Sequence, residues 1–138
     1  MGNINSVSDI IRVHGVERSE RTALVQGDRR LTWADLYRRS RQMANLLAAN
    51  GVGSGDRVAF LDKNGIEHFE VFYGAALLNA VCVDINWRLA APEVEYIVND
   101  AQSKVFVVGK DFVPVLDAIA ANLTSVTKKP PRLSVACS

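Results

Sequence analysis

The stretch from Arg57 to Ile85, RVAFLDKNGIEHFEVFYGAALLNAVCVDI, decides the fold class. It opens with the apolar run RVAFL and closes with the apolar run AVCVDI. Short runs of this kind, in which β-branched residues recur, are typical of strands buried on both faces of a parallel sheet. Between the runs, from Ile66 to Asn79, apolar residues recur at helical spacing. The stretch therefore predicts a strand–helix–strand unit with a right-handed crossover.

Further elements on both sides of this unit follow from helical periodicity, capping residues and turn glycines. The run KVFVV, Lys104–Val108, predicts a third buried strand. A hairpin is expected over Ala23–Thr32, and helices are expected over Ser6–His14, from Thr32 onward, over Pro92–Asp100 and over Asp111–Asn122. Because strand and helix alternate, the predicted fold is α/β, with an N-terminal β-hairpin and helix followed by a parallel βαβαβ sheet.

Two helix starts have capping residues at the expected spacing. Ser6 and Asp9 match a capping box, and Thr32 and Asp35 repeat the pattern at the start of the longest helix. Both pairs precede residues of helical periodicity, so we expect both threonine and serine hydroxyls to accept from the first helical turn.

Three ring side chains near these helices are predicted to be structural. Trp33 and Tyr37 lie on the apolar face of the long helix, and no basic stripe interleaves with them as a base-stacking surface would require. His14 has no second histidine at metal-ligand spacing. We therefore expect all three to pack against neighbouring elements.

The loop NGVGSGDRV, Asn50–Val58, has three glycines within five residues and raises the question of a phosphate-binding loop. Such loops lie between a strand and the helix that follows it, so that the helix amides face the anion. Here the order is reversed, because a helix ends at Asn50 and a strand begins at Arg57. Asp56 also stands where G-x-G-x-x-G requires its last glycine. We predict a structural chain reversal that binds nothing.

Composition and charge bear on three further classes of protein: those that bind nucleic acid, those held by disulfides and those that span a membrane. The formal net charge of +1 offers no electrostatic footprint for nucleic acid. The two cysteines, Cys82 and Cys137, indicate no disulfide framework, and the longest apolar run, Val71–Val83, is too short to span a bilayer. MGNINS at the start matches a myristoylation pattern and is interpreted as an ordinary helix-entry segment. We expect a cytoplasmic chain with no transmembrane segment and no nucleic acid partner.

With these elements placed, the chain resembles the AMP-forming acyl-CoA synthetases, the adenylate-forming ligases that include fatty-acid–CoA ligases. LTWADL, Leu31–Leu36, is similar to their L-[TS]-Y-x-E-L core motif, with tryptophan for tyrosine and aspartate for glutamate. The segment from Phe72 to Gly109 resembles their second core motif and the strand–helix–strand that follows, and NWRLAAPEVEYI within it is closest to the fatty-acid and medium-chain branch. The likeness extends over residues 6–126.

Three positions depart from the family pattern. The family usually has Lys-x-Gly-Ala where this chain has Leu78-Asn79-Ala80, and an apolar residue with proline where Asp62 and Lys63 stand. It also has proline where Asp84 stands. Because a buried unpaired charge costs several kcal/mol, we expect Asp84 to be a strand-end carboxylate that faces water.

The resemblance implies a reaction in which a fatty or other carboxylic acid reacts with ATP and Mg²⁺ to give an acyl-adenylate, which coenzyme A converts to acyl-CoA. The family holds the ATP phosphates with a loop of the type S-G-T-T-G-x-P-K-G and completes adenylate formation with a C-terminal lysine. Neither occurs in these 138 residues. No catalytic, cofactor-binding or metal-binding residue is therefore assigned to any position, and the chain alone is expected to be inactive and to hold no cofactor.

The last residues suggest an interrupted family pattern. We expect residues 1–126 to form the N-terminal portion of the large domain and residues 127–138, TKKPPRLSVACS, to be a divergent, disordered tail. Pro130-Pro131 ends regular structure where the family continues with an apolar strand, which favours an interrupted gene near Thr127. A sheet edge left without cover predicts self-association.

Two other classes of function remain open. The chain is interpreted alternatively as a non-catalytic interaction or regulatory module that docks on a full-length ligase, or as a small flavodoxin-like nucleotide binder. The second would bind at the carboxyl ends of the strands. The loops expected there are Asp62–Gly65, Asp84–Trp87 and Gly109–Asp111. DKNG is the best anion candidate among them, although Asp62 opposes the charge of Lys63.

Overall fold

A computed structural model describes residues 2–127, so residues 128–138 of the predicted tail lie outside them. Thr127, the first residue of that tail, donates its N–H to the Lys104 carbonyl at 3.0 Å. The helices are α1 (Val7–Glu17), α2 (Trp33–Ala49), α3 (Ile66–Leu77), α4 (Ala91–Asp100) and α5 (Val113–Ile119). The strands are β1 (Thr22–Gln26), β2 (Arg29–Thr32), β3 (Arg57–Leu61), β4 (Val81–Asp84) and β5 (Val105–Val108). The predicted α/β fold and element order are confirmed.

A three-stranded parallel sheet forms the centre of the fold. Its strand order is β4-β3-β5, so that Val58 of β3 pairs with Cys82 on one side and with Val105 on the other. Helices α2 and α3 cover one face and helices α4 and α5 cover the other, which produces a hydrophobic core on each side. The antiparallel hairpin of β1 and β2 lies apart from this sheet and contacts α2 and α3.

The predicted caps and turn are present. Ser6 and Asp9 form a reciprocal capping box, and the Thr32 hydroxyl accepts from the backbone N–H of Asp35 at 3.1 Å. Gly27 turns the hairpin with a φ of 58°, which glycine adopts without steric cost. These local rules therefore specify where α1, the hairpin and α2 begin.

The three ring side chains pack as predicted. The ring centroid of His14 lies 4.8 Å from that of Trp33 in an edge-on arrangement. A Cβ added to Gly15 would lie 2.7 Å from the Cβ of Tyr37, so α1 and α2 approach closely at this point. Packing between α1 and α2 accounts for these residues.

The triple-glycine loop closes the amino end of the sheet. Gly51 and Gly55 have φ values of 86° and 79°, in the left-handed region. The Asp56 carboxylate accepts from the backbone N–H of Gly53 at 2.8 Å and from Lys104 Nζ at 2.8 Å. The Lys104 ammonium, followed by the Gly53 N–H, lowers the pKa of Asp56. The loop is occupied by its own hydrogen bonds, which agrees with the predicted structural role.

Asn79 explains one departure from the family pattern. It adopts a φ of 55° just after α3, and its side-chain amide donates to Ser54 Oγ at 2.7 Å. Asparagine tolerates the left-handed region better than most residues, and the family usually has glycine there. This reversal also ends α3 at Leu77, two residues before the predicted end.

Two predictions about single elements are wrong. Strand β4 is not buried on both faces, because it lies at the edge of the sheet and Val81 is 51% exposed. The predicted helix over Asp111–Asn122 is divided into a 3₁₀ turn over Lys110–Phe112, α5, and a second 3₁₀ turn. Pro114 lies in the first turn of α5, where its missing N–H has no helical partner, so the α-helical segment starts beside it.

Candidate functional site

The three loops predicted at the carboxyl ends of the strands converge. Lys63 Nζ, in the loop after β3, lies 3.9 Å from Asp111 Oδ2, in the loop after β5. The backbone N–H of Gly109 donates to the Leu61 carbonyl at 2.9 Å, which holds these two loops together. The carboxyl ends of parallel strands meet at one edge of a sheet, so the convergence follows from the topology.

A cavity of about 280 Å³ opens at this edge. Most of its walls are polar or aromatic. It is lined by Phe60, Asp62, Asn64, His68, Asp84, Ile85, Asn86, Trp87 and Arg88. Two of the three predicted loops thus line the cavity. The third, Gly109–Asp111, does not line it and contacts Lys63 and Leu61 of the first loop region.

The centre of the cavity wall is a hydrogen bond between His68 and Asp84. His68 Nε2 lies 2.8 Å from Asp84 Oδ1, and the imidazole stacks on the Phe60 ring with centroids 4.9 Å apart. The Asp84 side chain is 52% exposed, so the expectation that this carboxylate faces water is confirmed. It also has a partner that the sequence analysis did not assign.

The missed residue, His68, had a detectable signal. It lies in the first turn of α3, which starts at the carboxyl end of the sheet because α3 follows β3, and the parallel strand β4 ends at the same edge. A histidine at the start of a crossover helix and a carboxylate at the end of the next strand are therefore candidates for contact, although their rotamers are decided by packing.

Cations flank the indole of Trp87. The Arg88 guanidinium lies 4.2 Å from the ring centroid and Lys63 Nζ lies 5.7 Å from it. Phe112 contacts the same ring, with centroids 6.2 Å apart. Cation–π contacts of this kind stabilise the loop conformation and reduce the availability of both cations for a ligand.

Cys82 lies beside the histidine–aspartate pair and its thiol donates to Asp84 Oδ1 at 3.3 Å. Burial, followed by the Asp84 charge and this hydrogen bond, strongly raises the pKa of the Cys82 thiol. The thiol is therefore protonated at neutral pH and is not an activated nucleophile. A second, apolar cavity of about 160 Å³, lined by His68, Phe69, Phe72 and Asp84, lies on the other side of the pair.

The helix starts at this edge have protein groups where an anion would bind. Gln26 Oε1 accepts from the Ile66 N–H at 2.9 Å at the start of α3, the site that follows DKNG. Glu67 lies in the same first turn and is paired with Arg29 Nη2 at 2.6 Å, so this ion pair, and not an open cationic group, occupies the helix start. At the start of α4, the Glu93 carboxylate accepts from the Ala90 N–H at 2.8 Å. The predicted anion candidate is thus capped by the hairpin.

Residues 2–127 contain neither a grouping of metal-binding side chains nor a helix that could cross a membrane. No three His, Cys, Asp or Glu side chains in this range are grouped so that they could hold a metal ion. No helix in the same range has both the length and the apolar character needed to cross a membrane.

Residues 11–137 match the family model described as AMP-binding enzyme. The chain is 49% identical over 94 residues to the long-chain-fatty-acid–CoA ligase FadD13 of Mycobacterium tuberculosis. It is 35% identical over 108 residues to the fatty acid–[acyl-carrier-protein] ligase ScoC of Streptomyces coeruleorubidus. The crystal structure of the N-terminal domain of FACL13 from Mycobacterium tuberculosis, bound to an inhibitor, superposes with a TM-score of 0.81 at 38% identity.

These matches cover most of the chain and a small part of each relative. The first alignment includes 68% of this chain and 19% of the ligase, and the second includes 78% of this chain and 21% of its relative. The superposition includes 95% of this chain and 32% of the solved domain. The chain thus spans about a fifth of the length of these curated relatives.

Proposed function

The chain belongs to the AMP-binding enzyme family, and from this premise we propose that it forms the first part of the large domain of a ligase that joins a fatty or other carboxylic acid to coenzyme A. The observation that supports this most directly is the 49% identity to a long-chain-fatty-acid–CoA ligase, which involves 68% of this chain. The alignment includes only 19% of that ligase, so the proposal concerns scaffolding and not the complete reaction.

We propose further that the chain alone does not activate an acid. Adenylate formation requires that the triphosphate be clamped and that the charge developing at phosphorus be stabilised. The phosphate loop of the family is absent from the 138 residues. Residues 1–126 would then supply framework, with the carboxyl-edge loops as the side of that framework nearest a ligand.

The residues at the carboxyl edge do not fit a magnesium nucleotide. The start of α3 is capped by Gln26, and Glu67 follows it in the same turn. Arg88 is held over Trp87, while Asp62 and Asp84 line the cavity. A triphosphate placed there would face these carboxylates without a free cluster of backbone amides, so the cavity lacks the features of a phosphate site.

The proposal is tested by calorimetric titration of the purified chain with ATP and Mg²⁺, together with an assay for AMP release in the presence of a fatty acid and coenzyme A. We expect no saturable ATP binding up to millimolar concentration and no acid-dependent AMP. The full-length long-chain ligase of Mycobacterium tuberculosis serves as the positive control.

The Lys63→Met variant distinguishes a nucleotide-binding chain, the alternative function, from the proposed scaffold. If the wild-type chain binds ATP and this variant does not, the chain is a nucleotide binder that uses the DKNG loop, and the scaffold proposal is wrong. Asp117→Asn is a control on an exposed part of α5, away from the cavity. We retain the cytoplasmic location as part of the proposal, and cell fractionation tests it.

A further inference from the structure

The chain contains two Asn-Gly pairs, Asn50-Gly51 and Asn64-Gly65, which lie in loops at opposite ends of the parallel sheet. Asn-Gly is the dipeptide at which spontaneous deamidation is easiest, because glycine has no side chain to hinder attack by its own backbone nitrogen on the asparagine. The hydrogen bonds around the two pairs differ. We propose that Asn64 is a site of spontaneous deamidation through a succinimide, and that Asn50 is protected from the same reaction.

The reaction is intramolecular and consumes one water. The Gly65 nitrogen gives its proton to a base in solution and bonds to Cγ of Asn64. The Cγ–Nδ2 bond then breaks, and Nδ2 takes up a proton and leaves as ammonia. Water opens the resulting five-membered succinimide ring at either carbonyl. Cleavage between Cγ and the Gly65 nitrogen gives aspartate, whereas cleavage between the main-chain carbonyl carbon and that nitrogen gives isoaspartate. No atom is oxidised or reduced.

The reacting groups of Asn64 and Gly65 have no competing interactions. Asn64 is exposed, lies in the loop between β3 and α3, and lines the cavity at the carboxyl end of the sheet. Within residues 2–127, neither its side-chain amide nor the backbone N–H of Gly65 has a hydrogen-bond partner. Ring closure at this pair therefore breaks no hydrogen bond of the folded chain.

The neighbouring residues hold the loop on both sides of the pair. The Lys63 N–H donates to Asp62 Oδ1 at 2.7 Å, and the Ile66 N–H donates to Gln26 Oε1 at 2.9 Å. A Cβ added to Gly65 would lie 3.0 Å from both polar atoms of the Gln26 side-chain amide. This close approach favours glycine after the asparagine, so the packing of the hairpin on the start of α3 maintains the reactive dipeptide.

Asn50-Gly51 has the same two residues with both reacting groups held. Asn50 is the C-cap of α2, and its Nδ2 donates to the Leu46 carbonyl at 2.8 Å. The Gly51 N–H donates to the Ala48 carbonyl at 3.0 Å. Both hydrogen bonds must break before this ring closes, so we expect deamidation to be slower at Asn50 than at Asn64 by about 10-fold or more.

Deamidation changes the charge of the cavity. Each product has a carboxylate in place of a neutral amide, so the formal net charge of the chain falls by one, from +1 to zero. The new carboxylate joins Asp62 and Asp84, which line the same cavity. Isoaspartate also adds a methylene group to the main chain just before Gly65, the N-cap of α3. The modified cavity is therefore still less suited to an anion.

Peptide mapping of the aged chain tests the proposal. The purified protein is incubated at mildly alkaline pH, digested at acidic pH, where succinimide formation is slow, and analysed by chromatography and mass spectrometry. In the folded chain, modification at Asn64 should exceed that at Asn50 by about 10-fold or more and give both aspartate and isoaspartate. In concentrated denaturant the two pairs should react at rates within a factor of about two, because the hydrogen bonds at Asn50 are lost.

A pair of variants tests the role of Gly65. An added Cβ would press on Gln26, so the substitution is made in a Gln26→Ala background that removes this contact. Gln26→Ala alone should modify Asn64 at least as fast as wild type, whereas Gln26→Ala with Gly65→Ala should slow the reaction by about 10-fold or more. Circular dichroism establishes that both variants are folded, and the unchanged Asn50 pair is the internal control.

Three results would each overturn the proposal. The first is an unmodified Asn64 in the folded chain under conditions in which the denatured chain reacts. The second is an equal rate at Asn64 and Asn50 in the folded chain, which would mean that the hydrogen bonds at Asn50 give no protection. The third is formation of aspartate without isoaspartate, since direct hydrolysis of the side-chain amide and not a succinimide would then be the route.

Discussion

The two ends of the parallel sheet differ in what their loops do. At the amino end, Gly51 and Gly55 supply positive φ values, and Asp56 accepts from the Gly53 N–H and from Lys104. At the carboxyl end, side chains surround a cavity of about 280 Å³. The glycine-rich end resembles a phosphate loop in composition, but the N–H groups of Gly51, Gly53 and Gly55 donate within the protein. Among the described residues, the candidate site lies at the end with fewer glycines.

The difference teaches that strand direction, more than glycine content, indicates where a ligand can bind in an α/β sheet. A loop that follows a helix meets the negative end of the helix dipole, whereas a loop that precedes a helix meets the positive end. The present chain adds a second condition, because the start of α3 is capped by Gln26 of the hairpin. Strand direction thus determines at which edge of the sheet a ligand could bind. Side chains that cap the helix starts determine whether the backbone N–H groups at that edge are available to it.

The largest change in the free energy of unfolding is expected from substitution of a glycine at the carboxyl end of the sheet. Gly109 has a φ of −65°, so its backbone is not strained, but a Cβ there would overlap the Asp62 carboxylate. Gly109→Ala should displace the Asp62 carboxylate and break the hydrogen bond that it accepts from the Lys63 N–H, which should lower the free energy of unfolding by about 2 kcal/mol, measured by urea denaturation. The double variant Asp62→Ala with Gly109→Ala should be as stable as Asp62→Ala within about 0.5 kcal/mol. Equal stability of Gly109→Ala and wild type would show that the close approach is not needed.

A smaller effect is expected at the amino end, where the reason for glycine is different. Gly51 and Gly55 have open space around them and positive φ values. Gly51→Ala and Gly55→Ala should each cost about 1 kcal/mol through backbone strain. Gly53 has no positive φ, and its nearest neighbour, Asp56 Oδ2, would lie 3.7 Å from an added Cβ, so Gly53→Ala is the matched control. An equal loss of stability at all three positions would show that positive φ is not what distinguishes Gly51 and Gly55 from Gly53.

The smallest expected effect is on the pH dependence of the free energy of unfolding, through Asp56. Lys104 and the Gly53 N–H lower the pKa of Asp56 in the folded chain. A lowered folded pKa means that the stabilisation is present above the unfolded value, near 4, and is lost as pH falls through that value toward the folded pKa. Asp56→Asn should therefore be less stable than wild type at pH 7 and should lose less stability between about pH 5 and pH 3. The slope will not vanish, because the pKa values of Asp9 and Asp35 are lowered too. Parallel pH profiles for variant and wild type would contradict the assignment.

Much of the fold was predictable because its signals are local. The capping residues Ser6 and Thr32 and the turn at Gly27 act through neighbours within four residues. The alternation of RVAFL, AVCVDI and KVFVV with helical segments then leaves few topologies. The prediction of burial was wrong where it depended on the position of a strand within the sheet. AVCVDI has the composition of a buried strand and lies at an edge, since strand order is not encoded in composition.

By itself the sequence determined the family, the element order and the convergence of three loops at one edge, because motif spacing and periodicity depend on residues close along the chain. Only the tertiary structure decided that His68 meets Asp84, that Gln26 caps α3 from 40 residues away, and that β4 is the outer strand of the sheet that the described residues form. These depend on side-chain rotamers and on the packing of distant elements, and many arrangements of the same local pieces would satisfy the sequence pattern equally well.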